Sequence, residues 1–202
     1  MTRRSEPHVG MSTPWGRADN VTKLADGLYA VGTPSHGGLK LLASLNKKMP
    51  ARIRAEGGWY EEDLQYNWVI VTFPELVEQG AVRGTLEDAH KTLRNWYPDE
   101  YEAVFGVSLS PAESAERKKQ AFQREHGDDW VAVAAYGDWH KNVPEGMVGL
   151  CCKQAKYGRS GPERYFLVPS ADYHDDRLRT PLGFVCDPSP SPNAPYQEIG
   201  KL

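Results

Sequence analysis

Apolar residues in this chain recur with two different periods, and the changes between them set the expected fold. Over residues 20–33 the period is two. Leu28, Ala30 and Gly32 alternate with Tyr29, Val31 and Thr33, after an arm carrying Val21 and Leu24. Such alternation places one set of side chains on each face of a strand. Asp26-Gly27 between the arms is a turn signal, because glycine takes positive φ without steric cost. The reading is a β-hairpin whose second strand runs directly into Thr33-Pro34-Ser35-His36-Gly37-Gly38. A short apolar segment follows at Leu39, Leu41 and Leu42, then a brief turn that Ser44 caps and Pro50 ends.

Beyond Gly57-Gly58 the period lengthens. Leu64, Trp68 and Val71 recur at i, i+4 and i+7, which predicts a helix from Tyr60 to about Thr72. Glu61, Glu62 and Asp63 suit the positive end of its dipole. The run Trp68 to Phe73 is β-branched enough for a buried strand; the helix is preferred. Thr85 reads as the N-cap of a helix through about Trp96, with Leu86, Ala89 and Leu93 on its apolar face. Pro98 ends it, and a short helix occupies residues 99–105. Ser110-Pro111-Ala112-Glu113 has the makings of a complete capping box, for a helix from Ser110 to about His126. Its apolar stripe is thin and Arg117, Lys118, Lys119 and Arg124 cover the rest, so it is a solvated helix or a basic docking face.

After Gly127 the period returns to two. Strands are expected from Trp130 to Tyr136, Met147 to Lys153, Arg164 to Pro169 and Gly183 to Cys186. Helices and strands are segregated along the chain, so the expected class is α+β: an N-terminal hairpin, central helices, and a C-terminal antiparallel sheet of about four strands. Residues 1–11 read as a flexible arm, with Met11 offering an alternative start. Residues 12–187 read as a single globular domain in which Trp15 anchors the first turn. Residues 188–202 read as an extended, mostly unpacked Pro-rich tail.

Composition narrows the function classes. A formal charge of −3 argues against nucleic-acid or anionic-membrane binding driven by overall charge, since both need a positive field. No run of 18 apolar residues is present, so no membrane-spanning helix is expected, and no apolar segment follows Arg3-Arg4 to make a secretory signal. Three cysteines, two of them adjacent (Cys151, Cys152), do not make a disulfide framework. A cytoplasmic protein is the expectation. Cys151 and Cys152 should point to opposite faces of a strand as one core and one surface residue, and Cys186 should be a small buried hydrophobe.

Phosphate-loop, dinucleotide, H-E-x-x-H and C-x-x-C motifs are all absent. The six histidines are scattered with none at metal-ligand spacing, so neither a metal nor a cofactor is assigned. The candidate chemistry lies in two stretches. His36 is a possible base, donor or ligand at a strand end, and the flanking glycines let a ligand approach the backbone. Glu61 and Glu62 are the candidate carboxylates to orient it or act beside it. Ser35, Gly37, Gly38, Tyr60 and Asp63 are candidate binding residues, Tyr60 by stacking on a ligand ring. A more distant parallel is ADP-ribosyl transfer, with His36-Gly37 at a strand end and Glu163 as a late acid.

Ser12-Thr13-Pro14-Trp15-Gly16 and the Thr33–Gly38 segment resemble an uncharacterised domain family of phages, plasmids and other bacterial mobile elements. Tyr60-Glu61-Glu62-Asp63, Phe73-Pro74-Glu75-Leu76, Trp139 with Val143 to Gly149, Arg164 to Pro169 and Gly183 to Asp187 are also similar to it. The resemblance implies one domain of mobile-element origin and no particular activity. Two expectations follow. The first is an accessory protein that acts by binding a host protein, for instance to inhibit host defence. The second is an enzyme with a His36-centred site for a nucleotide or phosphate-bearing ligand.

Overall fold

The computed structural model describes residues 6–180, 182–186 and 196–202. The chain divides into two compact units, Met1–Arg117 and Lys118–Leu202. The class is α+β as expected, with an N-terminal hairpin, helices in the middle and an antiparallel sheet at the end.

The first unit opens with a two-residue ladder, β1 (Ser12–Thr13) on β2 (Gly16–Arg17). The residues just before it are tied down: Gly10 N donates to Ala18 O at 2.8 Å and Arg17 Nε to Gly10 O at 2.9 Å. The expected hairpin forms from β3 (Asn20–Ala25) and β4 (Leu28–Gly32), with Gly27 at φ 76° in the turn. Two further strands extend it to a four-stranded antiparallel meander, β5 (Gly37–Leu41) and β6 (Trp59–Glu61). Gly37 and Gly38 are therefore ladder residues, not loop residues.

The helices of this unit are α1 (Ala43–Asn46), α2 (Tyr66–Thr72), α3 (Glu75–Glu78), α4 (Leu86–Trp96) and α5 (Pro98–Phe105). The helix expected from Tyr60 starts six residues late. Residues 59–61 gain more by pairing with β5, and the Glu61 carboxylate then accepts from Asp63 N at 2.9 Å and Leu64 N at 3.2 Å, closing a turn. Thr85 caps α4 as expected, its Oγ1 accepting from Asp88 N at 3.0 Å. One face of the meander (Leu28, Leu39, Leu41, Tyr60) packs on Trp68, Val69, Ile70, Phe73, Ala89 and Leu93 from the helices. The other face carries Tyr29 and Val31 under Trp59, with Trp15 edge-on to Trp59 at 5.6 Å. Trp15 is the anchor expected of it.

Helix α6 (Ala115–His126) starts later than the capping box at Ser110 predicts. Only half of the box forms: Ser110 N and Oγ both donate to Glu113 Oε2, at 3.0 and 2.6 Å, while Glu113 N donates to Ser110 O at 3.0 Å, and these close a separate turn. The serine that caps α6 is Ser114, whose Oγ accepts from Arg117 N at 3.3 Å.

In the second unit the four expected strands appear as β7 (Trp130–Tyr136), β8 (Met147–Gln154) and β9 (Arg164–Pro169), then, after α7 (Ser170–Tyr173) and β10 (Arg179–Thr180), β11 (Gly183–Cys186). With β12 (Gln197–Ile199) they form one antiparallel sheet in the order β10-β11-β7-β8-β9-β12. The end of the expected unpacked tail is thus a sheet edge, Glu198 opposite Phe166; residues 188–195 of that tail lie outside the described residues. The core is Val148, Leu150, Cys152, Phe166, Val168, Phe184 and Cys186. Cys151 is buried as well, against expectation, because neither face of β8 is bare there. Burial raises the Cys151 thiol pKa above its ordinary value. The Cys152 thiol is raised too, by its hydrogen bond with Cys186 and then by burial. Neither Cys151 nor Cys152 is poised as a nucleophile.

Candidate functional site

Strand register assembles the site. In the β5–β6 ladder Gly38 lies opposite Glu61 and Leu39 opposite Tyr60. The ladder continues one step further, Glu62 N donating to Gly37 O at 3.1 Å. His36, one residue before β5, is thereby brought beside Glu61 at the end of β6 and Glu62 one residue beyond it. A potential ligand atom from each of His36, Glu61 and Glu62 lies within 4.8 Å of the others. Twenty-five residues separate the two stretches, so no spacing rule for metal ligands could have joined them.

Both sides of the cluster are held by backbone. Thr33 fixes the turn carrying His36: its N and Oγ1 each donate to His36 O at 2.8 Å, and its Oγ1 accepts from His36 N at 3.2 Å. Glu61 is held by the two amides of the turn it closes. Glu62 Oε1 accepts from Gly37 N at 2.9 Å, while Oε2 sits 2.8 Å from where a Gly37 Cβ would be. Only glycine leaves room for that carboxylate. Carboxylates oriented by amide donors resemble the supported ligands of metal sites, whose geometry depends on such outer contacts.

The other candidates separate from this cluster. Gly38 is next to it but serves packing. A Cβ there would strike the Tyr60 carbonyl oxygen and come within 2.5 Å of the Trp15 ring. Tyr60 is 1% exposed, with its hydroxyl donating to Asn46 Oδ1 at 2.7 Å and accepting from Ala55 N at 3.1 Å, so it is a core residue and cannot stack on a ligand. Burial holds its phenol above the ordinary pKa. Asp63 gives its backbone N–H to Glu61 and does not enter the cluster. Ser35 is exposed on the turn. Glu163, the late acid of the ADP-ribosyl-transfer parallel, accepts from Tyr165 Oη at 2.6 Å and pairs with Lys153 at 3.3 Å, and those two contacts hold its pKa below the ordinary value.

A groove of about 600 Å³ begins at Glu62 and runs over the helix-side face of the meander. Its floor includes Gly32 and Gly37, directly opposite each other in the β4–β5 ladder, so the sheet carries no side chain there. Asn20, Thr22, Tyr66 and Arg83 stand around it. Sequence reasoning missed these four. For Gly32 a signal existed, since glycine inside a strand pattern often marks close approach of a ligand or backbone; Arg83 had none. A second cavity of about 690 Å³ involves the opposite face, with Lys40 4.6 Å over the Trp59 ring, and it lacks any such cluster.

A small antiparallel meander packed on helices, with a histidine–carboxylate cluster at one strand end, is the class of domain these features define. Residues 8–127 match a family described as a domain of unknown function, DUF7007, and the chain belongs to that family. The match covers the first unit's cluster and groove and ends within one residue of α6, short of the resembling segments from Trp139 onward. No curated protein and no solved structure is similar to the chain. Among the described residues no helix is long and apolar enough to cross a membrane.

Proposed function

We propose that the first unit is a divalent-cation-dependent binding domain, with His36, Glu61 and Glu62 as the protein ligands. The single observation that carries this is the convergence of one imidazole and two carboxylates within 4.8 Å. Donors around one ion at about 2.1 Å stand about 3–4 Å apart, so adjustments of about 1 Å close the site. One nitrogen with two carboxylates suits Mn²⁺, Fe²⁺ or Zn²⁺ better than Mg²⁺ or Ca²⁺, and three protein ligands leave coordination positions open for a ligand. Titration with Mn²⁺ by calorimetry, followed by its electron paramagnetic resonance signal, tests this. One ion per chain is expected, with affinity reduced at least tenfold in His36→Ala and in Glu62→Gln. Wild-type protein that takes up neither Mn²⁺ nor Zn²⁺ at millimolar concentration, or an undiminished site in His36→Ala, sinks the proposal.

A second reading, an accessory protein of a phage or plasmid that binds a host protein in the bacterial cytoplasm, is supported by a different observation. Trp139 is 76% exposed, with Tyr136 at 6.3 Å and His140 at 6.0 Å. Exposed aromatic clusters of this kind supply interface anchors. A stoichiometric host protein captured by wild type and by His36→Ala, but not by Trp139→Ala, is the expected result. Equal capture by Trp139→Ala overturns this reading.

A further inference from the structure

We infer that the groove beside the cation site takes a nucleotide-like ligand, a planar ring carrying a phosphate. This rests on the cation reading and names the ligand class of that site. The floor argues for the ring. Gly32 faces Gly37 across the β4–β5 ladder, so the sheet carries no side chain at that pair, and Ala30, Leu39 and Leu24 continue the floor as an apolar surface. A ring can lie on it at van der Waals distance, which a floor of larger residues would prevent. The size agrees, since about 600 Å³ falls in the range of pockets that enclose small ligands.

The polar groups argue for the phosphate. Glu62 ends the groove and would repel an anion on its own. A cation held by His36, Glu61 and Glu62 reverses that sign and offers open positions to phosphate oxygens. Arg83, exposed on the rim, supplies a second positive group with fork geometry for the same oxygens. Asn20 and Thr22, hydrogen-bonded to each other at 3.3 Å, keep an amide N–H and a hydroxyl lone pair for hydroxyl groups between ring and phosphate. Phosphate binding should therefore require the cation.

Calorimetry on the full chain with ADP as probe, at saturating Mn²⁺, tests the inference. Adenosine and pyrophosphate serve as half-ligands, and EDTA as the cation-free arm. ADP should bind with Mn²⁺ and not with EDTA, and each half-ligand should bind at least tenfold more weakly. Gly32→Val fills the floor from a residue that is not one of the three cation ligands. The nearest atoms to a Cβ there are Asp19 Oδ1 at 3.6 Å and Asn20 Cβ at 3.7 Å, and its φ is not in the left-handed region, so a Cβ is accommodated at ordinary van der Waals contact. Gly32→Val and Arg83→Ala should each weaken ADP at least tenfold while Mn²⁺ affinity stays unchanged, which also reports an intact fold; Gly32→Ala should fall between. Mn²⁺ uptake without ADP binding, or equal ADP binding in Gly32→Val, overturns the nucleotide assignment and leaves the cation site standing. Pyrophosphate binding as tightly as ADP removes the ring. ADP binding in EDTA removes the bridge through the cation, and failure of wild type to take up Mn²⁺ removes both readings.

Discussion

Each of the two sheets has a glycine where a side chain would be expected, and they fill the vacancy in opposite ways. In the second unit, Gly149 lies in the middle of β8, and a Cβ there would meet Leu202 and Val143, each at 2.8 Å. The gap is closed by the chain's own apolar side chains, beside a core containing Leu150 and Cys152 at 0% exposure. In the first unit, Gly37 begins β5, and its missing Cβ is replaced by the Glu62 carboxylate at 2.8 Å, with open groove beyond. A glycine covered by hydrocarbon serves packing. A glycine covered by an exposed charged group at the mouth of a cavity fits the proposed ligand role, because that group fills no core.

The largest expected effects test the packed side of this contrast. Leu150→Ala leaves a cavity in the second core and should cost about 2–5 kcal/mol, read from denaturant unfolding with unchanged m. Gly149→Ala should cost about 1–3 kcal/mol by overpacking, towards the lower end, because the obstructing atoms are ends of side chains that can shift. An unchanged midpoint in both would mean the second sheet is not closed as described.

Legibility in the sequence follows the same division between local and non-local causes. The Asp26-Gly27 hairpin and the Thr85 cap were readable because their determinants are neighbours in sequence. The Ser110 box formed only its glutamate half and started no helix, since Ser114 four residues later takes the capping role. His36, Glu61 and Glu62 were each visible as reactive residues beside special backbone. The helix assigned to the two carboxylates was wrong because their actual partner, β5, lies twenty residues away. The glycine floor depends on β4–β5 register, and β12 depends on its pairing with β9. Gly32 has its local signal as a glycine within a strand pattern, but nothing local marks its pairing with Gly37 or the existence of β12.

Gly37→Ala tests the open side of the contrast. The methyl displaces Glu62 Oε2, the free end of a flexible exposed side chain, and crowds Val31 O at 3.1 Å. Stability should fall by no more than about 1 kcal/mol, while Mn²⁺ affinity should fall at least tenfold because the amide-held carboxylate can no longer sit in place. A stability loss as large as that of Leu150→Ala, with cation affinity retained, would make Gly37 a packing glycine like Gly149 and erase the difference between the sheets.

The smallest effect concerns how the first unit responds to acid away from its site. Arg117 donates to Glu102 at 2.5 Å through Nη2 and at 3.3 Å through Nε, and Leu109 N adds a bond at 2.8 Å to the same carboxylate. Hydrogen bonding from Arg117, then from the Leu109 amide, holds the Glu102 pKa below the ordinary glutamate value of 4.5. Between the folded and unfolded values the unfolded chain binds more protons, so stability rises with pH there. The contribution is complete above about 4.5 and is lost as pH falls through the depressed folded value. Glu102→Gln should therefore lower stability at neutral pH and flatten the acid side of the stability curve, while Mn²⁺ affinity at His36, Glu61 and Glu62 stays the same. An acid-side slope identical in the variant would show that the Arg117 contact is screened by solvent and contributes nothing to folding.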